Sequence, residues 1–161
     1  LAPASAEYRY LYAQIASDNF RVFKSADKKI DNAIIENLKK AVQLNSRYGL
    51  YHQKLGLAYL RTGEEAKAAA EIKKAQELDP TAAFNYLLLA VYYFNDATKT
   101  EGVNPYGSKA MEEGVAEYRK AISLDPSRAI HRYKGLLPGY QRINKALKRY
   151  KRPPLLTTTI S

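Results

Sequence analysis

The sequence has no cysteine, so neither a disulfide nor a thiolate metal site can hold it together. No run approaches the roughly 20 apolar residues of a membrane-spanning helix. Three catalytic signatures are missing: G-x-x-x-x-G-K-[ST] for phosphate loops, H-E-x-x-H for zinc peptidases and G-x-S-x-G for nucleophile elbows. Alternating β-branched runs joined by hairpin turns are absent too, which removes the main competitor to a helical fold. Acidic residues are missing from 126–161, a stretch that carries Arg128, Arg132, Lys134, Arg142, Lys145, Lys148, Arg149, Lys151 and Arg152. The chain opens at Leu1 with no charged segment leading into an apolar one, and it reads as a processed product or an excised piece of something longer.

What is present fits about one domain, long enough to bury a core without staples. The net charge is +10, but the C-terminal stretch supplies nine of those charges. The rest holds 17 basic residues against all 16 acidic ones. The body therefore gives no electrostatic reason to expect nucleic acid.

Apolar residues recur at helical spacing. Tyr8, Leu11, Tyr12 and Ile15 form a first stripe; Ile30, Ile34, Leu38, Ala41 and Leu44 a second; Tyr48, Tyr51, Leu55 and Tyr59 a third. Ala68, Ile72 and Ala75 form a fourth, Phe84, Leu87, Leu88 and Val91 a fifth, and Val115, Tyr118, Ile122 and Leu124 a sixth. Thr62-Gly63-Glu64-Glu65 predicts a helix stop at Gly63 and a capping box between Thr62 and Glu65. Leu78-Asp79-Pro80 and Leu124-Asp125-Pro126 predict two further stops, because proline disfavours helical geometry in the residue before it. Residues 17–29 and 95–108 read as loops, and residues 153–161 as a flexible tail or linker.

From Gly49 to Ala82 the chain closely resembles the 34-residue tetratricopeptide (TPR) repeat. Leu55-Gly56 matches the Leu-Gly of the first helix, Tyr59 the aromatic after it, Ala68 and Ala75 the small positions of the second helix, and Pro80 the closing proline. His52 stands where the family often has Trp. Tyr86, Leu89, Ala90 and Tyr93 repeat the pattern 34 residues on, and Gly114, Tyr118, Ala121 and Pro126 complete it after roughly 12 extra residues. Tyr8, Leu11 and Ile15, then Ile34, Leu38 and Ala41, give a more degenerate first unit. The resemblance implies an all-α antiparallel helix-pair solenoid of about three repeats, with units at about 5–46, 49–82 and 83–126. A further stripe, Ile130, Tyr133, Leu137, Tyr140, Ile143, Leu147 and Tyr150, is expected to form a C-terminal capping helix over 127–150.

No catalytic, cofactor or metal site is expected. His52 falls on a position the repeat buries, and His131 lies in a basic neighbourhood. Glu64-Glu65 and Glu112-Glu113 open helices, where the dipole accounts for them. The family resemblance places ligand-facing residues on the first helices. These are Leu50, Gln53, Lys54, Leu57, Leu60 and Arg61 in the middle unit, Phe84, Leu87, Leu88, Val91, Phe94 and Asn95 in the third, and Arg9, Tyr10, Ala13 and Ala16 in the first. The stripe is apolar, so its expected occupant is an apolar or amphipathic segment of another protein, of a second copy, or of the chain itself. Many of the 14 tyrosines are expected to fill holes between helices. The expected function is protein–protein interaction, as an adaptor or scaffold. Two alternatives stand beside it. Arg142, Lys145, Lys148, Arg149, Lys151 and Arg152 could make weak, sequence-blind contact with a polyanion or a membrane surface. SAEYRYLYAQIA and AEYRKAISLDPS are also similar to TPR regions appended to bacterial O-antigen ligase/polymerase-type membrane proteins, which would make the chain a soluble tail tethered to a membrane protein, with its compartment open.

Overall fold

The computed structural model describes residues 5–23, 28–99 and 108–126. The expected cap at 127–150, the tail at 153–161, His131 and the six basic residues from Arg142 to Arg152 lie outside the described residues. Within them the chain forms six helices and no strand: α1 (Ala6–Phe23), α2 (Lys28–Leu44), α3 (Gly49–Thr62), α4 (Glu65–Leu78), α5 (Ala83–Lys99) and α6 (Lys109–Leu124). Contact is most extensive within the pairs α1/α2, α3/α4 and α5/α6; α2/α3 and α4/α5 then join one pair to the next.

The helix ends show how local chemistry sets this order. Gly63 takes the left-handed conformation, φ 80°, and its N–H donates to the Leu60 carbonyl while that of Glu64 donates to Tyr59. This pattern closes a helix through a residue with no Cβ penalty. The capping box expected beside it does not form. Thr62 is the last residue of α3, and its hydroxyl lies 3.3 and 3.2 Å from the Ala58 and Tyr59 carbonyls of its own helix; α4 begins at Glu65 without a side-chain cap. Asp79 and Asp125 end α4 and α6 with nearly the same backbone, φ −139° and ψ 86° against φ −149° and ψ 87°. Each precedes a proline, which pushes it into that extended region. Ser108 caps α6, its hydroxyl accepting from the Met111 N–H at 3.2 Å.

Both expected loops are shorter than the polar composition suggested. α1 continues through Phe23 and α2 starts at Lys28; α5 continues through Lys99. No Gly or Pro lies in 17–23 or 95–99 to break the helix, and polar composition alone does not stop it.

Two cores sit inside the stack. One joins α1 to α5 through Ala13, Ile34, Ile35, Leu38, Leu55, Tyr59, Ala68, Ile72, Leu88 and Leu89. The other joins α5 to α6 through Leu87, Val91, Phe94, Met111, Val115 and Tyr118. Gly56 marks the closest approach of α3 and α4. A Cβ there would sit 2.6 Å from Ile72 Cγ1 and 3.2 Å from the Ala68 carbonyl oxygen.

Candidate functional site

The first helices of the three pairs touch in series. Tyr10 of α1 lies against Tyr51 of α3, with ring centroids 5.3 Å apart, and Tyr48 meets Tyr51 edge-on at 4.7 Å. Gln53 of α3 donates to Asn85 Oδ1 of α5 at 2.7 Å. Asn85 is 1% exposed, so the acceptor end of this bond is shielded from water, and the bond ties α3 to α5. Nothing in the helical pattern singled out Asn85; only its spacing from Gln53, close to the repeat length, hinted that the two would meet.

The expected ligand-facing residues divide sharply. Leu50, Gln53, Lys54, Leu57, Leu60, Phe84 and Asn95 are partly exposed and Arg61 is exposed. Leu87, Leu88, Val91 and Phe94 are buried, which corrects their placement on an open face. Leu87, Val91 and Phe94 pack on α6, and Leu88 lies in the core shared with α3 and α4. In α1 the expectation is inverted. Ala13 is buried, and Tyr10 and Ala16 pack against the same core, whereas Leu11, Tyr12 and Ile15, read as packing residues, are 41%, 47% and 60% exposed.

Charge on this side is tied down in part. Arg61 pairs with Asp31 at the start of α2, and Arg9 Nη1 donates to Asn37 Oδ1 at 3.2 Å. His52, 6% exposed, is a packed histidine: Nδ1 lies 2.7 Å from a Glu71 carboxylate oxygen and Nε2 3.0 Å from the Ser46 carbonyl oxygen. It ties α3 to α4 and to the turn before α3. Burial raises the phenols of Tyr51 and Tyr59 above their ordinary value. On α6, burial likewise raises the Glu117 carboxyl, against a bond from Gln76 Nε2 at 2.8 Å that lowers it. The tyrosines are mixed: Tyr51, Tyr59 and Tyr118 fill the interior, and Tyr12 and Tyr48 are exposed. Among the described residues no group of three or more His, Asp or Glu could hold a metal ion, and no helix is long and apolar enough to cross a membrane.

The shape is shared with solved proteins. A thermophilic TPR protein of Thermus thermophilus matches with a TM-score of 0.64 and 22% identity, over 91% of this chain and 66% of its own. The first TPR of Spaghetti, bound to an HSP90 peptide, matches with a TM-score of 0.62 and 14% identity, over 89% of this chain and 98% of its own. The fold is that of a TPR solenoid. No protein-family model matches the chain. The type IV pilus assembly protein PilF of Pseudomonas aeruginosa is 34% identical over 99 residues, covering 59% of this chain and 34% of PilF. A small glutamine-rich tetratricopeptide repeat-containing protein of Mycosarcoma maydis is 25% identical over 123 residues, covering 76% of this chain and 31% of that protein. The chain thus spans about a third of the curated relatives it matches.

Proposed function

We propose that this TPR solenoid, with units at about 5–46, 49–82 and 83–126, is a protein-interaction module rather than an enzyme. It receives an apolar or amphipathic segment of another protein along its first helices. The observation that carries this reading is the partly exposed line Leu50, Gln53, Lys54, Leu57, Leu60 and Arg61 on α3, continued by Phe84 and Asn95 on α5. Leu57 and Leu60 rest on the core and are held in place by it, yet keep part of their surface open. An apolar floor beside Lys54 suits a segment that brings its own apolar anchors and carries an acidic or polar flank. The bound HSP90 peptide in the Spaghetti repeat supports a peptide as the kind of occupant, and the relation to a pilus assembly protein supports a role in protein assembly. Neither curated relative carries an O-antigen ligase or polymerase name.

Selection of a displayed peptide library on the whole chain tests the proposal. Enriched peptides should bind by fluorescence anisotropy in the micromolar range. Leu57→Glu combined with Leu60→Glu should weaken them at least about tenfold with helicity unchanged, a loss of about 1.4 kcal/mol. Peptides that bind wild type and double variant equally would place binding elsewhere, and a selection with no enrichment would remove the reading.

A further inference from the structure

Gln53 stands in the middle of the partly exposed line on α3, with Leu50 a turn before it and Leu57 a turn after it on the same side of the helix. Among the described residues its side chain makes one hydrogen bond, the one that Nε2 donates to Asn85 Oδ1 at 2.7 Å. The second Nε2 hydrogen and the Oε1 lone pairs are left over. Asn85 is 1% exposed, and neither hydrogen of its own amide meets an acceptor among the described residues. A buried amide in that state carries a penalty that an apolar side chain of the same size avoids. The other buried side chains of α5 are all apolar, so packing alone does not call for an asparagine here. What Asn85 does is hold Gln53. A glutamine on a helix surface turns about three side-chain bonds; tied at Nε2 to a shielded acceptor, its carboxamide keeps one orientation.

We propose that Gln53, oriented by Asn85, reads the main chain of the bound segment, and that this segment is extended rather than helical. The inference rests on the peptide-binding proposal above and names the conformation that the surface selects. The unused groups of Gln53 are one N–H donor and one C=O acceptor on a single amide plane. They complement the C=O and N–H of a peptide unit. A helical segment uses its main-chain groups in its own hydrogen bonds and lays only side chains on a groove. It would leave the Gln53 amide without a partner on the apolar floor, which disfavours it. An extended segment has its main-chain groups free. Its side chains alternate about the main chain, so apolar ones can reach Leu50 and Leu57 on either side of the amide pair. Gln53 is then a specificity residue for main-chain geometry. Asn85, shielded beneath it, is a positioning residue that acts through Gln53 and does not touch the segment.

The probe is a peptide enriched on the whole chain, together with analogues in which one main-chain N–H at a time is replaced by an ester oxygen. In fluorescence anisotropy one of these esters should bind wild type roughly fivefold more weakly than the parent peptide, the size of one net hydrogen bond. The same ester should bind Gln53→Leu less than about twofold more weakly than the parent does, because the partner of that N–H is already gone. Gln53→Leu should itself weaken the parent peptide roughly fivefold with helicity unchanged. Asn85→Leu should also weaken the parent peptide, although its side chain is buried, while the thermal midpoint holds or rises because the half-satisfied amide is removed. A lower midpoint with unchanged affinity would make Asn85 a structural residue and overturn the positioning role. An ester series with no sensitive position, or peptides that respond to Leu57→Glu with Leu60→Glu but not to Gln53→Leu, overturns the inference and leaves the peptide-binding proposal standing. A selection that enriches nothing removes both.

Discussion

Replacing Gly56 by alanine adds one carbon at the tightest point between α3 and α4. That carbon would sit 2.6 Å from Ile72 Cγ1, where apolar carbons prefer about 3.5–4.0 Å, and 3.2 Å from the Ala68 carbonyl oxygen. Ile72 is fully buried and cannot swing aside without moving its own neighbours. Two terms oppose each other. Alanine in a helix interior gains roughly 0.5–1 kcal/mol over glycine, and overpacking a close contact costs roughly 1–3 kcal/mol. The contact wins by about 1 kcal/mol, which for a domain of this size lowers the melting temperature by roughly 2–4 °C. Gly56→Leu should fall at the top of the ~1–3 kcal/mol overpacking range or beyond it. Urea unfolding followed by circular dichroism reads the change as a lower midpoint at constant slope. A double-mutant cycle then identifies the cause. Ile72→Ala alone should cost ~2–5 kcal/mol, but because it removes the clashing Cγ1 it should cost at least ~0.5 kcal/mol less in the Gly56→Ala background. A Gly56→Ala protein as stable as wild type, or a cycle that closes additively, would refute the close-packing argument.

Gly63→Ala should destabilise by about 1–2 kcal/mol for a different reason, the left-handed backbone, because nothing lies within 4 Å of the added carbon; trimming neighbours should not rescue it in the same unfolding assay. Phe94→Ala should cost ~3–5 kcal/mol and Leu87→Ala ~2–5 kcal/mol, as expected of core positions; near-neutral effects on the melting midpoint would return both residues to an open face. Glu117→Gln should raise the melting temperature near neutral pH, and the gain should vanish in acid. The half-buried carboxyl titrates above its ordinary value, so its contribution to stability is fully present below the ordinary carboxylate value and is lost as pH rises through the raised one; glutamine removes that loss and still accepts from Gln76. A gain of equal size in acid would show that burial of charge is not its source. His52→Phe should lower stability by about 1 kcal/mol, because the buried ring gives up its contacts to the partly exposed Glu71 carboxylate and to the Ser46 carbonyl oxygen; an unchanged midpoint would mean that the two contacts contribute nothing.

The middle pair was legible because its residues are unlike one another and each has one job. Gly56 is required where two backbones nearly touch, Gly63 where the chain turns left-handed, and Pro80 where the helix must end. Such constraints are local, so they survive in the sequence at fixed offsets, and α3, Gly63 and α4 lie where the offsets put them. The two Asp-Pro stops are legible for the same reason.

Burial in the outer helices is a different kind of fact. α5 carries large apolar residues on every side, and in Leu87-Leu88-Leu89 three consecutive positions are all buried. Its sequence therefore has no exposed stripe to find: α6 covers one flank and α3 with α4 another, and only the positions of those helices decide which leucine meets which. α1 fails in the opposite way. A reading by size assigns Leu11 and Ile15 to the core, but the side of α1 that meets α2 and α3 carries Arg9, Tyr10, Ala13 and Ala16, and Leu11, Tyr12 and Ile15 are left exposed. Size alone predicts burial only where a neighbour leaves room for it.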